Sequence, residues 1–398
     1  MASDENPSDR GTALEPEITA TRSPNAGDIP LDAGDLVQSQ ATIELRRTIE
    51  ASIPRIIDLL SDSDKGLREE AVGLLWKFSE QAEFRSAIGG FLPHIVALLE
   101  DSKSEVRIAA VEALSKLSEQ PEFRESIRAS IPTFVGLLTD ADRDVTWAGE
   151  EVLSKLSEQS EFQESIESSI SYIIALLKSR NVHVWSNGGR LLSKLSVQAE
   201  FRESVKASLP QIISLLESTE YEVRWATARA LSDLSMDTQL WHPIEIYIPR
   251  IIALLKDDDW RVRMECLNAL PKFSKQAECR PYIGTSIPQI VVLLEDNEYQ
   301  VCNNGLSALA SLAEHPEFRE SIRAAVPHIV SVLKGTRQYV RRDCAKTLST
   351  LSEHSEFRES IVTFIPDIIA SLPGGDSWAR MEAVELLSKL AEQAEGRE

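Results

Sequence analysis

A chain of 398 residues with 63 acidic against 42 basic side chains, a net charge of −21, lacks the basic stripe that tracking nucleic-acid phosphate requires. No apolar run approaches the roughly 18 residues of a membrane span, no signal peptide is visible, and with Ala2 and no nearby Cys no myristoyl or palmitoyl anchor is expected. Four cysteines, Cys266, Cys279, Cys302 and Cys344, show no C-x-x-C spacing or disulfide framework, so a reducing compartment is expected, cytoplasmic with the nucleus open.

In chain order, residues 1–40 come first. Asp4, Glu5, Asp9, Glu15, Glu17, Asp28, Asp32 and Asp35 face only Arg10 and Arg22, with few apolar side chains to offset the entropy of ordering. The segment reads as a disordered acidic tail. From Ala41 a fragment begins in which Glu44, Leu45, Arg46 and Ile49 align with Glu83, Phe84, Arg85 and Ile88. Beyond it, Pro54, Pro93, Pro132, Pro210, Pro249, Pro288, Pro327 and Pro366 fall on one series of step 39, with Ser171 in the vacant slot. A fixed period of this length is the signature of a stacked array. The expected fold is all-α, a right-handed superhelical solenoid of about nine 39-residue repeats filling 41–398.

Each unit reads as two helices about a polar turn. Ile131, Phe134, Val135, Leu137 and Leu138 lie on the first; Val145, Gly149, Val152, Leu153 and Leu156 recur at helical spacing on the second. The slot of Leu153 is Leu in every unit, from Leu75 to Leu387. The slot of Gly149 holds Ala, Gly, Thr227 or Cys, small enough for the unit's two helices to approach closely, which makes Cys266 and Cys344 packing residues. Leu240-Trp241-His242-Pro243 departs from the repeat, and Pro271 should kink a second helix. The last unit at Glu398 has no evident polar cap, which leaves end-to-end association and the oligomeric state open.

The pattern resembles HEAT repeats, with armadillo repeats as a sister architecture. An Asp eight residues after the proline (Asp62, Asp101, Asp140, Asp257, Asp296) precedes a Val and then an Arg (Arg68, Arg107, Arg224, Arg263, Arg341, Arg380). The resemblance implies an Asp–Arg ladder between successive turns, a concave face lined by second helices, and scaffolding as the usual role. It does not extend to armadillo-type peptide clamping: the sharp-turn Gly is replaced by Ser52, Ser130, Ser169 or Ser208, and the groove Asn by Lys77, Lys116, Lys155, Lys194, Lys272 and Lys389. Those lysines read best as a solvated face. The segment Glu122 to Ile127 stands where armadillo repeats place a short extra helix.

No chemistry converges. The six histidines, His94, His183, His242, His315, His328 and His354, include no His-Glu pair, and those sharing slots line up along the array instead of meeting. Neither a phosphate loop nor a nucleophile elbow is present, so no enzyme, metal or cofactor is expected. What differs between units points to binding. Trp147 and Trp225 lie nearly opposite the buried stripe of their helices. Trp185 replaces a ladder Arg and reads equally as a groove residue or as packing between repeats; Arg190, Lys194 and Arg229 add a basic centre, and Tyr221 and Trp260 an aromatic edge. Aromatic residues with Arg are a hot-spot composition. The expectation is a non-catalytic scaffold binding a protein or peptide, acidic or mixed in charge, on the second-helix face across units three to six. The alternative is an adaptor of transport-receptor or tubulin-binding type that uses the turns, where Trp260 and Trp378 stand.

Overall fold

The computed structural model describes residues 33–236, 240, 244–335, 338–372 and 377–395. The acidic tail through residue 32 and the irregular Trp241–Pro243 lie outside them; residues 33–40 fall in the first helix. The chain divides at Ser52/Ile53. In the first part, Thr48 and Ser52 donate their hydroxyls to the carbonyls of Glu44 and Thr48, four residues back, the usual outlet for such groups inside a helix. Leu45, which takes the slot of the buried Phe84, is exposed.

The helices are α1 (Ala33–Asp58); α2 (Lys65–Ser79), α3 (Ala82–Gly89) and α4 (Leu92–Ala97); α5 (Ser104–Leu117), α6 (Pro121–Arg128) and α7 (Ile131–Leu137); α8 (Arg143–Ser157), α9 (Ser160–Ser168) and α10 (Ile170–Leu176); α11 (Val182–Ser196) and α12 (Ala199–Ser214); α13 (Tyr221–Leu234) and α14 (Ile248–Ala253); α15 (Trp260–Phe273) and α16 (Arg280–Val292); α17 (Tyr299–Leu312), α18 (Pro316–Arg323) and α19 (Val326–Leu333); α20 (Gln338–Ser352), α21 (Ser355–Val362) and α22 (Ile365–Ser371); and α23 (Ser377–Glu395). No strand occurs among the described residues. The second helices of the units are α2, α5, α8, α11, α13, α15, α17, α20 and α23, and consecutive ones pack on each other.

The segment before each proline does form a separate short helix in several units, as α6 ahead of α7. Proline is not the sole cause: α9 and α10 separate at Ser169 although Ser171 holds the proline slot, whereas α12 and α16 run through Pro210 and Pro288. Pro271 likewise does not interrupt α15, which continues two residues beyond it to Phe273. The second helices start on side-chain caps where the sequence supplies one: Asp64, Asp142, Asn181 and Asp259 accept from amides two residues on.

The repeat slots are the core. Phe84, Phe123, Phe162, Phe201, Leu240, Cys279, Phe318 and Phe357 share one slot and are all buried, as are Leu75, Leu114, Leu153, Leu192, Leu231, Leu270, Leu309 and Leu348 in another. The small slot does bring helices together: a Cβ on Gly149 would meet Leu137 Cβ at 3.0 Å, and one on Gly188 would meet Leu176 Cβ at 3.2 Å. The four cysteines are buried as thiols, and burial pushes the Cys279 thiol up to about 12, away from the reactive thiolate form.

Two polar ladders run between units. In the first, Arg68, Arg107, Arg224 and Arg263 pair with Asp101, Asp140, Asp257 and Asp296 of the following turn at 2.6–2.8 Å. Each Asp also accepts a backbone amide of its own turn, as from Lys103 to Asp101 at 2.8 Å. Burial raises Asp101, but Arg68 and that amide outweigh it and hold the carboxyl below its usual value. In the second, Arg85, Arg124 and Arg319 on the short helices and Arg280 at the start of α16 pair with Glu122, Glu161, Glu356 and Glu317 of the next unit. The same arginines donate back to the end of the preceding second helix, as Arg280 Nε to the Ser274 carbonyl at 2.9 Å. At a helix start its own amide, together with Arg319, brings Glu356 down to about 2.

Candidate functional site

The residues singled out by the sequence fall into separate clusters. The first lies on α8 and α11. Trp147 is 53% exposed and stands between two grooves. One, of about 580 Å³, runs between α5 and α8 over a floor of Val111, Ala148 and Val152; the other, of about 340 Å³, runs between α8 and α11 past His183, Ser186 and Arg190. Behind the second groove Glu150 is buried, and both remaining cations close on it: Arg190 Nη2 at 3.0 Å and Lys194 Nζ at 2.8 Å. Arg190 also donates to Asn187, whose Nδ2 reaches Thr146 Oγ1 at 2.9 Å. Of the predicted basic centre, Arg190 and Lys194 come together on Glu150, which answers one of their two charges, while Arg229 meets Glu265 instead.

The second cluster is built on a buried indole. Trp185 is 2% exposed and meets Trp225 edge-to-face at a centroid distance of 4.8 Å. Of its two readings, packing between repeats is the one its burial supports, so it offers a partner no surface. Its bulk fills the place of a ladder Arg. Trp225, half-buried, donates Nε1 to Glu265 at 3.2 Å, and Arg229 Nη1 lies 3.8 Å from the same carboxylate. Burial, ahead of the opposing Arg229 charge, raises Glu265 above the usual carboxylate value. The third cluster is at the turns, where the Arg261 guanidinium covers the rings of Tyr221 at 4.4 Å and Trp260 at 5.2 Å.

The lysine row is not merely solvated. Lys155 pairs with Glu119 at 2.8 Å, Lys272 with Asp233 at 3.0 Å and Lys389 with Glu353 at 3.3 Å, while Lys116 lies 4.1 Å over the Trp76 ring. Each reaches into the unit before its own. No group of residues suited to a metal ion occurs among the described residues.

Sequence reasoning missed Glu150 and Glu265. Glu150 had a signal: its slot otherwise holds Val72, Val111, Gly189, Ala228, Leu267, Leu306, Ala345 and Val384, so one acid among apolar residues marks it. The second ladder was also legible, since Arg124 and Glu161 recur at a constant offset in most units.

Stacked helix pairs, inter-turn Asp–Arg bonds and a continuous slot-built core define a HEAT-repeat α-solenoid. Residues 62–395 match the PIK3R4-like middle domain, and the chain belongs to that family. It is similar in fold to Kap95p, solved with RanGDP (18% identity, TM-score 0.64, covering 85% of this chain and 46% of that one). It is also similar to the karyopherin Kap121p, solved bound to Nup53p (17%, 0.57, 83% and 40%) and to the extreme C-terminus of the phosphatase Cdc14p (16%, 0.55, 84% and 41%). The chain spans less than half the length of these proteins. No curated protein matches it.

Proposed function

We propose that the chain is a non-catalytic scaffold that holds a segment of a partner protein on its second-helix face, with Trp147 as the anchor. The observation that carries this is an indole half in water between two open grooves, with a buried apolar floor on one side. Leaving so large an apolar side chain exposed has no folding advantage, and a partner covering it recovers the burial. The solved structures of similar fold support the reading: the Kap121p structures hold Nup53p and the Cdc14p C-terminus. Work inside the cell, in the cytoplasm or nucleus, fits the reduced, buried cysteines.

Trp147→Ala should leave the helical spectrum and melting temperature unchanged and weaken partner capture about 30-fold, the scale of a hot-spot loss of about 2 kcal/mol. Equal recovery of the same proteins by affinity purification from both forms would sink the reading. A second reading, docking at the turns, has Tyr339 and Trp378 in its favour, which are 71% and 60% exposed. If Tyr339→Ser with Trp378→Ser loses capture while Trp147→Ala keeps it, the turns are the site.

A further inference from the structure

Trp147 separates two grooves whose charges are opposite. On the α5–α8 side, Glu112 and Glu151 are exposed and line the groove, and neither has an ion-pair partner among the described residues. Both lysines that line it are engaged elsewhere, Lys116 over the Trp76 ring and Lys155 on Glu119. Its contact with a neutral ring leaves Lys116 its charge, whereas Lys155 is neutralised by Glu119, so the groove carries one carboxylate in excess, beside an aromatic face. On the α8–α11 side, two cations share the single buried carboxylate of Glu150, and Arg190 and Lys194 remain 46% and 45% exposed. One positive charge is left over there, with the exposed His183 beside it. Between the two, Arg143 and Asp144 answer each other at 3.3 Å.

We propose that the segment bound here is mixed in charge and ordered: a basic side chain in the α5–α8 groove between Glu112 and Glu151, an apolar one on Trp147, and an acidic one over Arg190 and Lys194. The proposal rests on the reading of this face as a docking surface and adds the chemistry of the occupant. A uniformly acidic segment meets repulsion at Glu112 and Glu151, and a uniformly basic one at Arg190 and Lys194, so each face rejects what the other accepts. A cation over the Trp147 ring also gains from the ring's quadrupole, which an anion there does not.

The test is selection of random 12-residue peptides displayed on phage against the full chain, with Trp147→Ala as the counter-selection. Peptides that need Trp147 should carry a basic residue, an apolar core and an acidic residue. In fluorescence anisotropy, Glu112→Lys with Glu151→Lys should weaken such a peptide about tenfold and turn a repeated selection toward peptides acidic at both ends. Both sites are exposed, so an unchanged melting temperature certifies the fold. Trp147-dependent peptides that are uniformly acidic, uniformly basic or uncharged overturn the charge order and leave the docking surface standing. Absence of any Trp147-dependent peptide overturns both.

Discussion

Glu265 occupies a slot that holds Ala109, Ala148 and Ala226 in other units, and it is buried. Its company is Trp225 Nε1 at 3.2 Å and Arg229 at 3.8 Å, which leaves burial as the largest influence on its titration. A carboxyl whose folded value is raised holds its proton more tightly when folded. Ionisation then costs stability as pH rises above about 4.5, and the cost levels off once the folded value is passed. Glu265→Gln keeps an acceptor for Trp225 and removes that cost. The variant should melt with the parent at pH 4 and above it at pH 7, by about 1.4 kcal/mol for each pH unit separating the two values. A lower melting temperature at pH 7 would mean that the Arg229 pair outweighs desolvation. Trp185 shows the opposite economy: an indole takes the position of an Arg and is sealed by Trp225.

At the scale of the element, the short helices and the start of α16 act as clips. Arg124, Arg280 and Arg319 each tie the end of the preceding second helix to the first turn of the next unit's short helix. Gln163 breaks the series: its Nε2 reaches the Ser157 carbonyl at 3.4 Å but carries no charge for Glu200, which holds the matching position in the next unit. Gln163→Arg should therefore stabilise by about 0.2–1 kcal/mol. Thermal melts should show the gain shrinking when Glu200→Ala is added; an unchanged gain would remove the ion pair from the explanation. Helix pairing, the small slot, the Asp–Arg ladder and the buried Phe and Leu rows were legible in the sequence, because each repeats and each obeys a helical period. The states of the tryptophans were not. Whether Trp185 and Trp225 turn into a neighbour or toward water depends on the unit stacked beside them, which a single helix's periodicity does not contain. The partners of Lys155 and Lys272 were hidden for the same reason, lying one unit back.

For the array as a whole, stability is a sum of unit and joint terms, so the weakest joints open first. The Asp–Arg ladder is missing where Thr146 and Trp185 stand in Arg slots and Ser179 and Ser218 in Asp slots. There the serine hydroxyls accept the turn amides of Asn181 and Glu220 at 3.1 and 3.2 Å, longer than the 2.8 Å at Asp101 and Asp140. Amides of turns 179–182 and 218–221 should exchange hydrogen faster than those of 101–104 and 257–260, read by mass spectrometry. Equal rates would mean that the Trp185–Trp225 contact restores what the ladder lacks. The pairing distances along the sequence carry one more consequence. Arg107 finds Asp140 33 positions on and Arg124 finds Glu161 37 positions on, and these offsets recur along the chain. Inserting or deleting one residue inside a unit throws both rows out of frame at that joint, whereas a change of a whole period keeps every Arg opposite its acid. The chain thus tolerates change in length as a text tolerates it, by the line and not by the letter.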